Sequence, residues 1–506
     1  MDAAADQQTG AAPGAAVANQ RAAEARRQRL GFWTKSAYGA GAMVDGLVST
    51  ATNLFLFFYL TAVCGLSGSL TGLSLFVALV ADAVIDPLVG SLSDNTHSRW
   101  GRRHPFLIWS APPLALAFGL LFSLPAGLTG VAAFCYVTLF SIVLRAALSG
   151  FNVPHFALGA ELSDDYVERS SLVSYRLFLG SAGSIACMAL GPLLFFRGAD
   201  GMLRRGAYPP FAWTVAGLAL LAAFVCVATT LGLRHRLHQT QRQAAQPLRQ
   251  FVGGVWELFR NPTFVFLFLC EVVYFVALGV NNTLTFHVFI FFWRIPQGLN
   301  QTIIIAGILG TPLGVWLNSY TSKRFEKRTV AATGIVISAF CQAIFPLLKF
   351  AGLMPEPGPW LYGLMIANSA FVGAIVTTET VAFYSMIADA ADEHEHRFST
   401  RREGLYFAGL SFAIKASSGL GSLIAGVALD AIHFPTGLAV KGPAAASMIA
   451  PEVLTRLAIL YGPGVALISA LSATALLGYR LNRRAHARVL EELAQRRQAL
   501  AATTAA

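Results

Sequence analysis

Long apolar segments follow one another along almost the whole chain, and short charged stretches separate them. Each segment is about as long as, or longer than, the roughly 20 residues that a helix needs to cross a bilayer's hydrocarbon core. The segments lie near 32–62, 70–93, 106–124, 131–158, 172–196, 210–233, 262–292, 300–321, 329–350, 359–388, 404–434 and 455–479. Because a helix satisfies its own backbone hydrogen bonds in lipid, the pattern predicts an all-α integral membrane protein with twelve transmembrane helices.

The charged residues support this interpretation and indicate an orientation. Only 12% of the residues are charged, about half the roughly 25% of ordinary soluble domains. The net charge of +11 does not predict nucleic-acid binding, because the basic residues cluster in short breaks between apolar segments. The clusters share one side if both termini are cytoplasmic, which predicts a multi-pass protein of the plasma membrane, here a bacterial inner membrane. The exceptions are Arg197, Arg204, Arg205 and Arg294.

The predicted organisation has two helical halves between charged tails. The parts are a disordered cytoplasmic tail at 1–31, an N-terminal six-helix half at 32–233, a cytoplasmic linker at 234–261, a C-terminal six-helix half at 262–479 and a cytoplasmic tail at 480–506. The halves echo each other, because Gly90 and Asp94 followed by basic residues recur as Gly314 and Asn318. A duplicated six-helix half is typical of secondary transporters, whose site lies between the halves.

Two acids lie at membrane depth in the second apolar segment. Asp82 and Asp86 are four residues apart and therefore share one helix face. Carboxylates at this depth are costly and usually face a protein interior or a water-filled cavity. Two on one face repel each other, which favours sharing a proton or binding a cation. The alternative is a structural pair that a fixed basic residue neutralises.

Further polar residues occur within the fourth and eleventh segments. Arg145, Ser149 and Asn152 repeat at helical intervals and share one face. The amide oxygen of Asn152 can bind a hydroxyl or a cation, whereas Arg145 either serves a cavity or pairs with an acid. Lys415 lies about eleven residues into its segment, so a role as counter-charge to the acids is favoured over snorkelling.

Other charged residues have two open interpretations each. Glu271 and Glu379 lie at membrane depth and either face the cavity or form local salt bridges. Asp94, Arg102 and Arg103 predict a cytoplasmic gate whose ion pairs break as the halves move, or a plain topology signal. No nucleophile–base pair or metal-ligand set occurs at membrane depth, so neither an enzyme nor a cofactor is predicted, apart from a coupling H+ or Na+.

Several sequence blocks carry a resemblance that covers nearly the whole chain outside its tails. They are Tyr38-Gly39 with Gly41, DAVIDPLVG (82–90), SRWGRRHPF (98–106), Glu161 with Glu168-Arg169 and Arg176, SMIADAADE (385–393), RREGLYF (401–407) and Lys415. In these blocks the chain resembles the glycoside–pentoside–hexuronide:cation symporter family of the major facilitator superfamily, whose best-known member is the melibiose permease. The resemblance implies the major facilitator fold and transport by alternating access.

The resemblance also implies roles for individual residues. The coupling-cation site would comprise Asp82, Asp86, Ser149 and Asn152. The substrate site would comprise Asp45, Asn152, Phe156, Arg176 and Lys415; a loop or lipid-headgroup contact is the alternative for Arg176. The chain departs from the family where Asn152 replaces an acid, Gly46 replaces a sugar-binding acid beside Asp45, and Phe156 replaces an indole. These departures argue against a galactoside, and they favour protons over sodium because an ionised cation ligand is missing.

The predicted function is symport of a small polar solute, such as a sugar or glycoside, coupled to a proton or sodium ion. The predicted partners are that solute, the cation and the lipid bilayer, with no nucleic acid, and the functional unit is a monomer. The alternative is a lysolipid or other amphiphile symporter or flippase on the same fold. The many phenylalanines of the seventh and tenth segments fit that alternative, whereas the charged cavity residues favour a polar solute.

Overall fold

The protein is a bundle of long helices in the computed structural model, which describes residues 30–163, 165–197, 201–233, 257–400, 403–438 and 449–505. The predicted tail at 1–31 and linker at 234–261 lie almost wholly outside the described residues. The helices of the N-terminal half are α1 (Phe32–Ala51), α2 (Gly68–Asn95), α3 (His104–Leu121), α4 (Gly130–Glu161), α5 (Tyr166–Leu190) and α6 (Tyr208–Leu231). Short 3-10 turns at Gly201–Leu203 and Arg205–Ala207 precede α6.

The C-terminal half has the same plan. Its helices are α7 (Pro262–His287), α8 (Gln297–Leu309 and Thr311–Arg324), α9 (Lys327–Phe350), α10 (Pro359–Phe398), α11 (Glu403–Ala431) and α12 (Pro451–Ile459, Leu460–Gly464 and Val465–Ala475, ending in a 3-10 turn at Leu476–Gly478). A charged helix, α13 (Arg483–Ala505), follows. The longest helix, α10, runs ten residues past the predicted end of its span at 388.

Eleven helices of the described residues are long and apolar enough to cross a membrane. The first predicted span falls outside that set, although it is helical from Phe32 to Val63. Two π turns, Thr52–Leu56 and Tyr59–Val63, continue α1, and similar turns extend α5 (Gly191–Phe195) and α7 (Val288–Phe292). With α1 included, the predicted bundle of twelve helices in two six-helix halves is confirmed.

The two halves contact each other closely at the side of the bundle where α2 begins and α11 ends. We call the side where α1 and α7 begin the basic face, because the α2–α3 and α8–α9 junctions there carry Arg102, Arg103 and Lys327, and the opposite side the far side. On the far side, the Asp430 carboxylate of α11 accepts hydrogen bonds from the backbone N–H groups of Gly68 and Ser69, both at 2.8 Å. It thereby satisfies free donors in the first turn of α2, where a negative charge is also favourable.

Close backbone packing completes the far-side contact between α2 and α11. A Cβ at Gly72 would lie 2.7 Å from the carbonyl oxygen of Ser422, and one at Gly68 or Gly426 would collide with the facing backbone. Nearby, Thr61 of α1 lies 3.0 Å from the His287 ring of α7. Glycine therefore lets the two halves close here at backbone distance. We call the Gly68, Gly72 and Gly426 contact the glycine seam.

Equivalent ion pairs stabilise the basic face of each half. In the N-terminal half, Glu161 at the end of α4 binds Arg102 at 2.8 Å and Arg103 at 2.9 Å. In the C-terminal half, Asp389 of α10 binds Lys327 at 2.6 Å. Each pair joins a basic residue after the second helix of its half to an acid near the end of the fourth helix. The internal echo in the sequence therefore corresponds to a repeated structural unit.

The charged C-terminal helix packs on the basic face of the C-terminal half. His486 of α13 lies 2.9 Å from Asp392 of α10, and Arg497 lies 2.7 Å from Glu395. The predicted charged segment after 480 is therefore helical and contacts protein along α10.

Candidate functional site

Four polar side chains meet at mid-depth between α2, α4 and α11. Asp82 is only 3% exposed, and its Oδ2 lies 2.8 Å from the Lys415 ammonium, which also contacts Asp86. The Ser149 hydroxyl donates to the other oxygen of Asp82 at 2.7 Å. The alternative interpretation of Asp82 and Asp86 was a structural pair that a basic residue neutralises, and Lys415 is a basic residue in that position. It comes from the opposite half. The four side chains carry a formal charge of −1.

A proline gives this stretch of α2 an additional oxygen. Pro87 lies inside α2, directly after Asp86. Because proline has no N–H, the carbonyl of Ala83 loses its helical donor four residues on. That carbonyl belongs to the residue after Asp82, so α2 lacks one regular helical hydrogen bond next to the acid pair. Such an oxygen is available to a cation or to water.

A second polar cluster joins α1 to α4. The Asp45 carboxylate accepts one hydrogen bond from the Asn152 amide at 3.0 Å and another from the Ser49 hydroxyl at 2.8 Å. The amide oxygen of Asn152 is buried without a hydrogen-bond partner. Asn152 was predicted to serve both the cation and the substrate, but its described contacts place it with Asp45 and not with Asp82 or Asp86.

One turn further along α4, an aromatic ring meets a guanidinium. The Arg176 side chain of α5 lies over the Phe156 ring, 4.4 Å from its centroid. Phe156 remains 45% exposed. Stacking on a ring holds the guanidinium while its donors stay available. Asp45, Asn152, Phe156 and Arg176 therefore form a polar and aromatic surface on three helices of the N-terminal half.

A cavity of about 210 Å³ lies at mid-depth between the halves. Its polar lining includes Asn53, Ser141, Arg145, Asn282, Lys415 and Ser418. Among the described residues, no ion pair joins Arg145 to an acid. Lys415 and Arg145 are the basic residues of this lining, and Lys415 is the one that contacts Asp82 and Asp86. Asp45, Asn152, Phe156 and Arg176 lie outside this lining, on helix positions nearer the basic face.

The predicted gating residues also meet, within the N-terminal half. Arg103 contacts Asp94 and donates to Ser93 at 2.6 Å, while Arg102 and Arg103 share Glu161. These contacts join α2, the α2–α3 loop and α4. They do not themselves bridge to the C-terminal half, so the gating role stays a prediction.

Glu271 and Glu379 form neither of the two predicted arrangements. They are absent from the central lining, and no basic residue of the described chain pairs with either. Instead, the Tyr274 hydroxyl donates to Glu379 at 2.6 Å in a separate, small cavity within the C-terminal half. A role for either glutamate in the transport site therefore stays a prediction.

Sequence reasoning missed three contacts that depend on tertiary packing. They are the Tyr274–Glu379 hydrogen bond, the Thr61–His287 contact and the Asp430 cap on α2. Asp430 lies next to the last residue of α11. Its partner lies 362 residues away, and no local pattern identifies it.

Two six-helix halves around a central cavity, with acids and a lysine from opposite halves in contact, define a membrane transporter of the major facilitator fold. Among solved structures, the nucleoside transporter NupG, as a variant, matches with a TM-score of 0.61 at 15% identity, covering 88% of this chain and 98% of that one. A bacterial homologue of the human lysosomal transporter Spinster matches at 0.59 and 13% identity, covering 88% and 97%. At these identities the likeness establishes the fold alone.

The chain belongs to the MFS/sugar transport protein family, whose model matches residues 37–483. It is 29% identical over 431 residues to the putative glycoside/cation symporter YagG of Escherichia coli, covering 84% of this chain and 87% of that one. It is 25% identical to the isoprimeverose transporter of Lactiplantibacillus pentosus, covering 82% and 84%. The sodium-dependent lysophosphatidylcholine symporter 1 of Mus musculus is also 25% identical, covering 81% and 79%. The protein is therefore a transporter and not an enzyme.

Proposed function

We propose that this protein couples movement of a small polar solute, a sugar or glycoside, to movement of a cation by alternating access. The observation that carries the proposal is the contact of Lys415 with Asp82 and Asp86. An ion-binding pair on one half is thereby linked to a residue of the other half. The names of the glycoside/cation and isoprimeverose relatives support the same substrate class.

Charge balance explains how the cation acts on the conformation. Asp82, Asp86 and Lys415 together carry −1, and an uncompensated charge at membrane depth is costly. One bound monovalent cation brings the cluster to neutrality and competes with the lysine for the carboxylates. Cation binding therefore weakens the Lys415 link between α2 and α11 and changes the relative energies of the two access states.

A proton is the favoured cation. Sodium needs several oxygen ligands held together. In the described contacts Asn152 binds Asp45, whereas Asp82 contacts Ser149 and Lys415. A proton needs only one carboxylate, and Asp86 is the more exposed of the two, with 29% of its side chain accessible. Sodium completed by Ser149 and the free carbonyl of Ala83 is the alternative outcome of the test.

The lining supports a solute rich in hydroxyl groups. Asn53, Asn282 and Arg145 supply donors and acceptors around the central cavity. On the basic-face side, the unpartnered amide oxygen of Asn152 offers an acceptor, Arg176 offers donors, and Phe156 offers an apolar ring. Apolar sugar faces pack on aromatic rings while hydroxyls take the polar groups. A lysolipid, as the name of the mouse relative suggests, is the competing substrate.

We further propose that the protein works as a monomer in a bacterial inner membrane with both termini cytoplasmic. The support is the placement of basic residues at the same face in both halves, as the positive-inside rule requires. With that orientation, the basic face is cytoplasmic.

The test is uptake into proteoliposomes of purified protein, using a panel of radiolabelled glycosides, free sugars and lysophosphatidylcholine. Proton and sodium gradients are imposed separately. Accumulation of a glycoside that rises with an inward proton gradient and responds little to sodium at fixed pH supports the proposal. Lysolipid uptake without glycoside uptake overturns the substrate class. Sodium-driven accumulation at constant pH overturns the proton assignment, and its loss in Ser149→Ala identifies the Ser149 hydroxyl as a sodium ligand.

A further inference from the structure

The C-terminal six-helix half contains a buried pair of acids that belong to neither the proposed cation site nor the proposed solute site. Glu271 of α7 is 8% exposed, and Glu379 of α10 is 3% exposed. Tyr274, one turn along α7 from Glu271, donates its hydroxyl hydrogen to Oε1 of Glu379 at 2.6 Å. The pair therefore lies at mid-depth between two helices of the C-terminal half.

One oxygen of each carboxyl group has no partner. Oε2 of Glu271 and Oε2 of Glu379 are buried without a hydrogen bond, and both residues line a cavity of about 30 Å³. A cavity of this size accommodates one or two water molecules. The two unsatisfied acceptors thus share a small internal space.

Among the described residues, the titratable neighbours of the pair include no positive charge. The titratable neighbours are Tyr274 and Cys270 of α7 and Tyr384 of α10. From α9 the pair meets Ala331 and Ile335, and from α12 Ser472 reaches Cys270. None of these described groups is basic. Two ionised carboxylates in such surroundings would carry −2 without compensation, and burying each ion away from water is unfavourable.

A glycine on α9 creates the space in which the Glu379 carboxyl lies. A Cβ at Gly334 would be 2.8 Å from Cβ of Glu379 and 3.0 Å from its Oε2. Helix α9 therefore has no side chain at the position that faces the unpartnered Oε2 of Glu379. The acid is therefore built into the packing of α9 and α10.

We propose that Glu271, Glu379 and Tyr274 form a proton-binding site in the C-terminal half, separate from Asp82 and Asp86. The proton bound to one carboxyl is shared with the other carboxylate across the small cavity. Tyr274 holds Glu379 in place through the opposite oxygen, which leaves both Oε2 atoms free for the proton and for water. Binding and release transfer one proton between the pair and water, and no other bond changes.

A proton fits this site better than sodium. Sodium prefers several oxygen ligands, and beyond the two carboxyl groups and Tyr274 the cavity lining adds only the hydroxyls of Thr380 and Tyr384, beside Cys270, Phe275, Ala331, Ile335 and Phe383. A proton needs only one unpartnered carboxyl oxygen, with the other carboxylate or a water molecule of the cavity as acceptor. The site therefore provides the C-terminal half with a protonation equilibrium of its own, whatever solute the central cavity takes.

The test is infrared difference spectroscopy of the purified protein in lipid across a pH step, without solute. The background is Asp82→Asn/Asp86→Asn, which removes the other acid pair. We expect a protonated-carboxyl band that disappears on raising the pH and is absent from the further variant Glu271→Gln/Glu379→Gln. Proton release, measured with an indicator dye, should fall by about one proton per protein in that variant.

Controls separate the proposal from unfolding and from sodium binding. Glu356→Gln, at an exposed glutamate of the α9–α10 loop, should leave the band unchanged. If the double glutamine variant does not survive purification, Tyr274→Phe should shift the band by removing a hydrogen bond, and an unshifted band overturns the assignment. A band that persists in the double glutamine variant, does not titrate, or is removed by sodium at fixed pH also overturns it. No outcome depends on solute transport, so the proposed function can fail independently.

Discussion

Lys415 of α11 contacts Asp82 of α2 at 2.8 Å and joins the two halves of the molecule at mid-depth. The same ammonium contacts Asp86 one turn nearer the basic face. Each helix belongs to a different half, so the contact links the halves directly. In the function we propose, cation binding and the α2–α11 contact compete for the same carboxylates.

Neutralising either acid should separate solute movement from the ion gradient. Asp82→Asn or Asp86→Asn leaves one carboxylate paired with Lys415, so the cluster is neutral without a bound cation. We expect accumulation against a gradient to fall at least about 10-fold, while solute exchange at equal concentrations persists. Uptake in proteoliposomes with and without imposed gradients measures both quantities. Normal accumulation by both single variants would remove the cation site from these residues.

Removing the lysine should stop transport without unfolding the protein. Lys415→Ala leaves two adjacent carboxylates, which then retain a proton in place of the ammonium. We expect solute uptake to fall at least about 10-fold. The protein should stay folded, because removing the lysine also removes the free-energy cost of burying its charge, which offsets part of the stability lost with the ion pairs. Size-exclusion profiles and uptake are measured side by side with Lys323→Ala, an exposed lysine near the end of α8. Wild-type uptake by Lys415→Ala would place the lysine outside the mechanism.

The Asp430 cap should hold the far side closed. Asp430→Ala removes two charge-assisted hydrogen bonds to the start of α2, each contributing about 1 kcal/mol or more. We expect faster labelling of Cys64, which lies at the α1–α2 turn, by a membrane-impermeant maleimide in a background without the other cysteines. Glu452→Ala, an exposed acid at the start of α12, is the matched control. Equal labelling rates in the two variants would contradict the role of the cap.

Two acids of one basic-face network should differ in their effect on stability. Glu161→Gln leaves Arg102 and Arg103 without their shared buried carboxylate, which should destabilise the protein by about 3 kcal/mol. Asp94→Asn removes a partner whose side chain is 54% exposed, with an expected effect of about 0–1 kcal/mol. Thermal unfolding of the two variants in the same detergent gives the comparison. A larger loss for Asp94→Asn would reverse our ranking.

The sequence predicted the parts of the site that depend on depth and helical spacing. The lengths of the apolar segments predicted the helix bundle, and the four-residue interval predicted that Asp82 and Asp86 lie on one helix face. Side-chain pairing between helices was accessible only in part. Asn152 lies one turn from Ser149 along α4, yet the rotation of the helix directs it to Asp45. Glu271 and Glu379 lay within predicted spans, but their shared uncharged surroundings depend on how α7, α9 and α10 pack.

A substitution in the glycine seam should abolish transport and leave binding intact. Gly68 and Gly426 meet at backbone distance, so a single added methyl group acts as a wedge that favours the access state with this side apart. Such a variant keeps Asp82, Lys415 and the whole cavity lining intact. It would show no transport in a flux assay. It would still bind cation and solute at equilibrium, because it is held in one access state of the cycle.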